Sequence, residues 1–392
     1  MKKWQFLTLA VIIAGMFIWS CSDEKSSEPI VVDNSDIPAD PGTLPPAVKS
    51  GPLKPNVAVK VDPSNPTRVK LNVGGLLNVS KGDPIIYTTE NLTVVEDGVV
   101  QGIKITNNDG TISLGTDIVF IIDVTGSMSG TIDGVRASVT DFLKNMKSEG
   151  INVAAGAVAY ADNYDSRIPV EINGIPDDND PGAYVVVDYE NITTKIDTTG
   201  PVYKFVDSLY AGYEGYDGGD SPEGGFDAIW WAYNNFTWRE GAQKMFIVLT
   251  DVSTWGEGAP VGSGTSHSPW RTDELAAALE GYATVHVVSP TPDYTYLENG
   301  AYDMHWLAQP GNLILNEISY TSAGTGGMWF DIFGAGDYTG YVDLTTLPIV
   351  EVTAASSLVE FETSKTDGTE KDIRIVIDIG TSDGEVTVKA NY

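Results

Sequence analysis

The stretch that decides the fold is DIVFIIDVTGSMS, residues 117–129 of a 392-residue chain. The residues between Asp117 and Asp123 are all apolar, and most are β-branched. A strand that is apolar on both faces is typical of a parallel sheet covered by helices on both sides. The loop that follows carries the hydroxyls of Thr125 and Ser127. We therefore expect a doubly wound, Rossmann-like α/β domain with this loop at the carboxyl end of a central strand, where ligands bind in such sheets.

Around this stretch, β-branched runs alternate with helical patterns over residues 116–346, which we predict to form the α/β domain. Its other strands are expected at residues 153–161, 245–250, 285–289 and 328–332. Its helices are expected at residues 131–148, near 205, and at 225–236, 272–281, 313–320 and after 339.

The flanks on either side, residues 52–115 and 347–392, consist of short alternating segments separated by turn residues, a pattern of antiparallel strands. Neither flank has enough strands to bury an apolar face by itself. We therefore predict that the flanks pair into one β-sandwich and that the α/β domain is inserted into it. The expected strands are residues 57–61, 69–73, 92–95, 103–105, 349–352, 358–362, 373–379 and 385–389.

The N-terminus has a charged start, an apolar stretch over residues 6–19 and then Ser20-Cys21. It resembles a bacterial lipoprotein signal, which implies cleavage after residue 20 and lipidation of Cys21. An uncleaved N-terminal anchor is the alternative. The resemblance implies a location at the bacterial outer membrane or cell surface, with the periplasmic face left open, and membrane contact through the lipid alone.

Residues 21–51 are rich in Pro, Ser and Asp without periodicity, and we expect a flexible tether there. Cys21 is the only cysteine, so no intrachain disulfide can form. The formal net charge of −31, with 54 acidic and 23 basic residues, argues against nucleic acid as a partner. Binding to phosphates requires clustered Lys and Arg.

The loop oxygens of Asp123, Thr125 and Ser127 suit a hard cation, since magnesium prefers about six oxygen ligands. This Asp-x-Thr-x-Ser motif resembles the start of the metal ion-dependent adhesion site (MIDAS) of the von Willebrand factor A (vWA) family. The alternative is an Asx-type turn that caps the next helix. Downstream, the segment 220–229 enters a helix and the strand at 245–250 ends at Asp251.

These two downstream segments resemble the I-like domain of integrin β-subunits. The resemblance implies that Glu223 and Asp251 complete a site for Mg²⁺ or Mn²⁺ with the three loop residues. It also implies an adjacent Ca²⁺ site, whose ligands would be Asp162, Asp220, Pro222 and Glu223. The asparagine of that second site falls on Gly218, and the paired carboxylates of a third site fall on Gly130 and Thr131, so no third ion is expected.

An ion with hydroxyl ligands keeps positive charge and an exchangeable position, which a carboxylate of a partner can fill. The predicted function is therefore metal-dependent binding of a protein or extracellular ligand. An ion that only ties loops together is the structural alternative, and an envelope scaffold or assembly factor is the functional one. Aromatic side chains near the site either form a rim for the partner or pack under loops: Tyr210, Tyr213, Tyr216, Trp255 and Trp270.

We do not expect an enzyme. His267, His286 and His305 are the only histidines, and they lack zinc-ligand spacing. His286 lies in an apolar strand and is predicted to be a core residue. The run 177–180 lacks the spacing of an EF-hand and is predicted to be a solvated turn.

Overall fold

The computed structural model describes residues 33–78, 81–108, 115–161, 185–213, 223–255, 270–289, 301–302, 324–331 and 343–392. Several sequence predictions lie outside these residues: the signal with Cys21, the helix at 313–320, the run 177–180, and His267 and His305. Within the described ranges, no helix has the length and apolar character needed to cross a membrane.

The strands are, in chain order, β1 (Val57–Asp62), β2 (Asn65–Val73), β3 (Leu77–Asn78), β4 (Asp83–Pro84), β5 (Leu92–Glu96), β6 (Val99–Val100), β7 (Ile103–Asn107), β8 (Gly115–Asp123), β9 (Asn152–Tyr160), β10 (Val186–Thr193), β11 (Gln243–Leu249), β12 (Thr254–Trp255), β13 (Thr284–Ser289), β14 (Ala301–Tyr302), β15 (Trp329–Asp331), β16 (Ser357–Glu362), β17 (Glu370–Asp378) and β18 (Asp383–Asn391). The α-helices are α1 (Ile132–Ser148), α2 (Pro201–Ser208), α3 (Gly225–Asn235), α4 (Thr272–Leu279) and α5 (Ile349–Ala354). Short 3-10 turns cover Gly126–Gly130 and Leu344–Thr346.

The central sheet has the strand order β10-β9-β8-β11-β13-β15. Its strands are parallel, except that β10 is antiparallel to β9. Along β8, Ile118, Phe120 and Ile122 join one buried cluster with α1, α2 and α5, and Val119 and Ile121 join another with α3 and α4. This alternation explains the uninterrupted apolar run and confirms the predicted doubly wound α/β fold.

The two flanks form two four-stranded antiparallel sheets, with strand orders β1-β2-β16-β7 and β18-β17-β5-β6. Each sheet contains strands from both ends of the chain, and one hydrophobic cluster contains side chains of both sheets. The flanks therefore pair into one sandwich, as the sequence predicts.

One predicted strand is wrong. Residues 349–352 form the start of helix α5, whose buried residues are Ile349, Val350, Val352 and Thr353. That spacing places them on one face of a helix, which packs into the same core as α1. The β-branched composition favours a strand locally, but burial against α1 decides the outcome. Helix α5 therefore packs in the core of the α/β domain, although its residues were expected to belong to the C-terminal flank.

The described part of the predicted tether, residues 33–51, is bonded to both sheets of the sandwich. Asp36 accepts hydrogen bonds from Arg68 at 2.8 and 2.9 Å, and Lys49 Nζ lies 2.9 Å from a carboxylate oxygen of Asp383. The segment has no periodic pattern because it forms no regular element, yet its separate charges pair with the sandwich. Over residues 33–51, these bonds differ from what is expected of a flexible tether.

The sandwich contacts the α/β domain at the amino ends of the central strands. Asn72 Nδ2 donates to the Gly115 carbonyl at 3.0 Å, and Gln243 Nε2 donates to Asn72 Oδ1 at 2.6 Å. Asn56 Nδ2 donates to the carbonyl of Lys244 at 2.5 Å. The carboxyl ends of β8 and β11 therefore lie at the opposite end of the domain, away from the sandwich.

Candidate metal centre

Asp123 is the last residue of β8, and its side chain is fully buried. Its Oδ1 accepts hydrogen bonds from the backbone N–H and the hydroxyl of Thr125, at 2.9 and 2.7 Å. Its Oδ2 accepts a hydrogen bond from the hydroxyl of Thr250 at 2.7 Å. A buried carboxylate needs such partners, and they hold this one in a single orientation.

From Asp123, a chain of side-chain oxygens runs outward to the surface. The hydroxyls of Thr125 and Ser127 lie 3.1 Å apart, and Ser127 Oγ donates to Asp251 Oδ1 at 3.0 Å. Thr125 is buried, Asp251 is partly exposed and Ser127 is exposed. Because β8 and β11 are parallel neighbours, their carboxyl ends bring these residues together.

Glu223 is held beside the chain that follows Asp251. Its backbone N–H donates to the carbonyl of Ser253 at 3.1 Å, and its carbonyl accepts from Thr254 Oγ1 at 2.9 Å. Its side chain is buried. The backbone of Glu223 is thus fixed to the same edge of the sheet as Asp251.

The phenol of Tyr160 is close enough to the carboxylates of Asp123, Glu223 and Asp251 for their charges to affect its pKa. Burial raises the pKa of Tyr160 well above its ordinary value, and the charges of Asp123, Glu223 and Asp251 each raise it further. Tyr160 ends β9 and is the register partner of Asp123 on β8. Three carboxylates from separate segments of the chain therefore lie near the buried side chain of Tyr160.

The same concentration of charge acts on the carboxylates themselves. Burial, followed by the charge of Asp251, raises the pKa of Asp123 to about 7. Burial also raises the pKa of Asp251. A buried carboxylate near another negative group is costly to ionise, and a bound cation would remove that cost.

Across the described ranges, no three Asp, Glu, His or Cys side chains are close enough to hold a metal ion between them. The oxygens that do converge are two carboxylates and two hydroxyls, from Asp123, Asp251, Thr125 and Ser127. Such a mixed oxygen set fits a hard divalent cation, which takes hydroxyl and water ligands as readily as carboxylates. The residues present therefore fit the predicted ion, and its ligand assignment stays a prediction.

The second predicted ion site falls mostly outside the described residues, because only Glu223 of its four ligands is among them. Tyr216 and the side chain of Trp255 also lie outside the described part of the chain.

Of the two alternatives for the aromatic side chains, Tyr213 follows the second: it is 8% exposed and packs in the core that contains residues of α1 and α2. Its hydroxyl lies 3.3 Å from Asp188 Oδ2, so the side chain is directed into the fold. Tyr210 is 48% exposed, with its ring centroid 5.2 Å from that of Tyr213. The half-buried ring of Trp270 packs on Trp230, with centroids 4.7 Å apart.

Sequence reasoning missed Thr250 and Tyr160, which contact or surround Asp123. Thr250 directly precedes Asp251, so its hydroxyl could have been found from its place at the end of a predicted strand. Tyr160 is found only through the pairing of β8 with β9. His286 is buried, and its Nδ1 accepts the backbone N–H of Met328 at 3.1 Å, which confirms the prediction that it is a core residue.

No protein-family model matches this sequence, and no curated protein matches it. Among solved structures, the chain is similar to the pilus adhesin SpaC from Lactobacillus rhamnosus GG in its open conformation. The sequence identity is 13%, the TM-score is 0.35, and the match covers 86% of this chain. The chain spans about half of the adhesin, 48% of its length. A likeness of this size assigns no function.

Proposed function

We propose that this chain is a cell-envelope lipoprotein that binds a protein or extracellular ligand through a divalent metal ion at a MIDAS-type site. The observation that carries the proposal is the hydrogen-bonded chain of oxygens from Asp123 through Thr125 and Ser127 to Asp251. It lies at the carboxyl ends of two adjacent parallel strands, the usual ligand position in open α/β sheets.

In this proposal Asp123, Thr125, Ser127, Glu223 and Asp251 hold Mg²⁺ or Mn²⁺, as in the vWA family and its integrin β-subunit relatives. The ion supplies a positive charge that a carboxylate of the partner can bind. The chain's own residues position that charge, since the Thr125 and Thr250 hydroxyls orient the carboxylate of Asp123. An adjacent Ca²⁺ at Asp162, Asp220, Pro222 and Glu223 belongs to the same proposal.

The placement of the site supports binding to a large partner. The sandwich joins the domain at Gly115, the first residue of β8, whereas Asp123 is its last residue. A strand of nine residues is about 30 Å long, so the metal face stands well clear of the sandwich.

We propose binding without catalysis. In the described part of the chain, His286 is the one histidine, and its Nδ1 is already bonded to the backbone of Met328. Among the described residues, no histidine base accompanies the hydroxyls of Thr125 and Ser127, which are hydrogen-bonded to the proposed metal ligands Asp123 and Asp251.

The test is isothermal titration calorimetry of Mg²⁺ and Mn²⁺ on the full chain and on Asp123→Ala. We expect saturable binding to the wild type and its loss in the variant. Asp141→Ala is the matched control, because Asp141 is an exposed aspartate on α1 that pairs only with Lys144 in the described part of the chain. Equal ion affinity in Asp123→Ala would refute the site.

The nature of the partner is tested by attachment of the intact protein to whole cells and extracellular polymers, with and without a chelator. Attachment that the chelator abolishes supports ligand recognition. Stable co-purification with one envelope complex, without such attachment, would favour the scaffold alternative instead.

A further inference from the structure

A recess lies at the end of the α/β domain opposite the candidate metal centre, where the domain meets the sandwich. It has a volume of about 450 Å³. Its walls are β1, the last residues of β18 and the loop over residues 238–242, and Lys244 and Tyr282 also line it. We call this recess the junction groove. Its volume falls in the range of about 300–1,000 Å³ that is usual for small-ligand sites.

The junction groove contains cationic groups in a chain with an excess of carboxylates. Lys60 and Lys244 line it, and neither has an ion pair with any described carboxylate. Other cations of the lining do have such partners, since Arg239 pairs with Asp117 and Lys389 pairs with Glu370. In a protein of net charge −31, two such amines in one recess mark a local preference for an anion.

The amine of Lys244 is held against two aromatic rings. Its Nζ lies 4.7 Å from the ring centroid of Tyr233 and 5.6 Å from that of Trp238. The side chain is half-buried, and its desolvation lowers the pKa of the amine. The cation–π contacts offset part of the free energy that the ammonium group loses on desolvation, and an anionic ligand would offset more of it.

The rest of the lining suits a ring with hydroxyl groups. Trp238 and Tyr282 offer aromatic surface, and Glu240 offers an acceptor for hydroxyl donors. The groove is less suited to an added peptide strand, because its strand edges are partly occupied. The backbone N–H of Lys389 donates to the Tyr282 hydroxyl at 3.0 Å, and that of Val57 donates to the Gly281 carbonyl at 2.8 Å.

From these observations, we propose that the junction groove binds a carboxylated saccharide, with Lys244 and Lys60 contacting the carboxylate and Trp238 and Tyr282 contacting the ring. This goes beyond the proposed metal-dependent function. The groove lies at the amino ends of the central strands, and its lining includes none of the five predicted metal ligands. Binding there requires no metal ion.

The experiment measures binding of an oligogalacturonate to the full-length protein by calorimetry in the presence of a chelator, beside a neutral galactose oligomer of equal length. We expect the acidic oligomer to bind and the neutral one not to. Lys244→Met keeps the apolar part of the side chain on the rings and removes the charge. It should weaken binding at least about tenfold, a loss of about 1.4 kcal/mol.

Lys204→Met is the matched control, because Lys204 is exposed on α2 and the substitution changes the net charge equally. It should bind like the wild type. If Lys244→Met fails to fold, Lys60→Met at an exposed strand position replaces it. The proposal is overturned if the wild type does not bind the acidic oligomer, if the lysine variants bind it unchanged, or if a polyglutamate peptide binds equally well. If the wild type binds the acidic oligomer only when the chelator is left out, the saccharide binds at the candidate metal centre. That result would also overturn the proposal for the junction groove.

Discussion

The buried carboxylate of Asp123 affects how the stability of the fold depends on pH. Its carboxylate is fully buried, and its pKa is raised from 3.8 to about 7 by burial and by Asp251. A group whose pKa is higher in the folded state stabilises the fold at low pH, and this contribution is lost as the pH rises through the folded pKa. Without a bound cation, ionisation of Asp123 therefore lowers the free energy of unfolding at neutral pH.

We predict that Asp123→Asn reverses the effect of magnesium on stability. In a chelator at pH 7.5, the variant should be more stable than the wild type by about 1–2 kcal/mol, because a neutral amide replaces a buried charge. In excess Mg²⁺, the wild type should become the more stable protein, since binding to the folded state stabilises it. Urea unfolding of both proteins under both conditions measures this crossing.

The pH supplies the control for that prediction. At pH 4, close to the ordinary pKa of 3.8, the carboxylate is protonated in the fold, and the advantage of Asp123→Asn in chelator should disappear. An unchanged difference between the two proteins from pH 4 to pH 7.5 would contradict the electrostatic explanation and point to packing.

Most of the candidate site can be predicted from single residues, because its parts are local. Asp123, Thr125 and Ser127 lie on one loop, and Asp251 follows a strand that is clear from its apolar run. Tyr160 could not be predicted to lie beside Asp123, since that contact depends on which strands are neighbours. The inward direction of Tyr213 likewise depends on packing against α1 and α2, which composition does not reveal.

Among the elements, β8 and α5 show where sequence patterns succeed and fail. The apolar run of β8 predicts a buried strand because both of its faces are covered by helices. Helix α5 is short and rich in β-branched residues, so its local preference favours a strand. Its helical state comes from contact with α1, a partner about two hundred residues away in sequence. The sequence does not predict edge strand β10 either. Its residues are mostly half-buried, so they lack the apolar pattern of a buried strand.

The loop after α3 is bonded to the central sheet through an ion pair between Arg239 and the buried carboxylate of Asp117. Arg239 Nε lies 2.5 Å from Asp117 Oδ1, and its backbone N–H donates to Oδ2 at 2.7 Å. Asp117 is fully buried, and burial raises its pKa even beside the guanidinium. The guanidinium also donates to the carbonyls of Thr116 and Asn152.

We predict that Arg239→Met destabilises the protein by about 3 kcal/mol, because it leaves the buried Asp117 carboxylate without its cation. Adding Asp117→Asn to that variant should recover part of the loss, since the uncompensated charge is then removed. Chemical denaturation of the wild type and both variants measures the difference. A double variant less stable than Arg239→Met alone would show that the carboxylate is not the source of the loss.

The sandwich and the candidate metal centre lie at opposite ends of the inserted α/β domain. The junction contacts of Asn72, Gln243 and Asn56 all reach the amino ends of β8 and β11. These contacts connect buried amides to backbone and side-chain partners and fix the domain's direction on the sandwich.

Each sheet of the sandwich is built from strands of both flanks. Strand β16 lies between β2 and β7, and β17 lies between β18 and β5. Without the C-terminal flank, β2 and β7 have no shared neighbour, and the cores of both sheets lose Phe361 and Ile375. Residues 52–108 alone should therefore give a poorly dispersed nuclear magnetic resonance spectrum. Adding a peptide of residues 356–392 should restore dispersion, because it returns the missing central strands. A well-dispersed spectrum from residues 52–108 alone would contradict the pairing of the flanks.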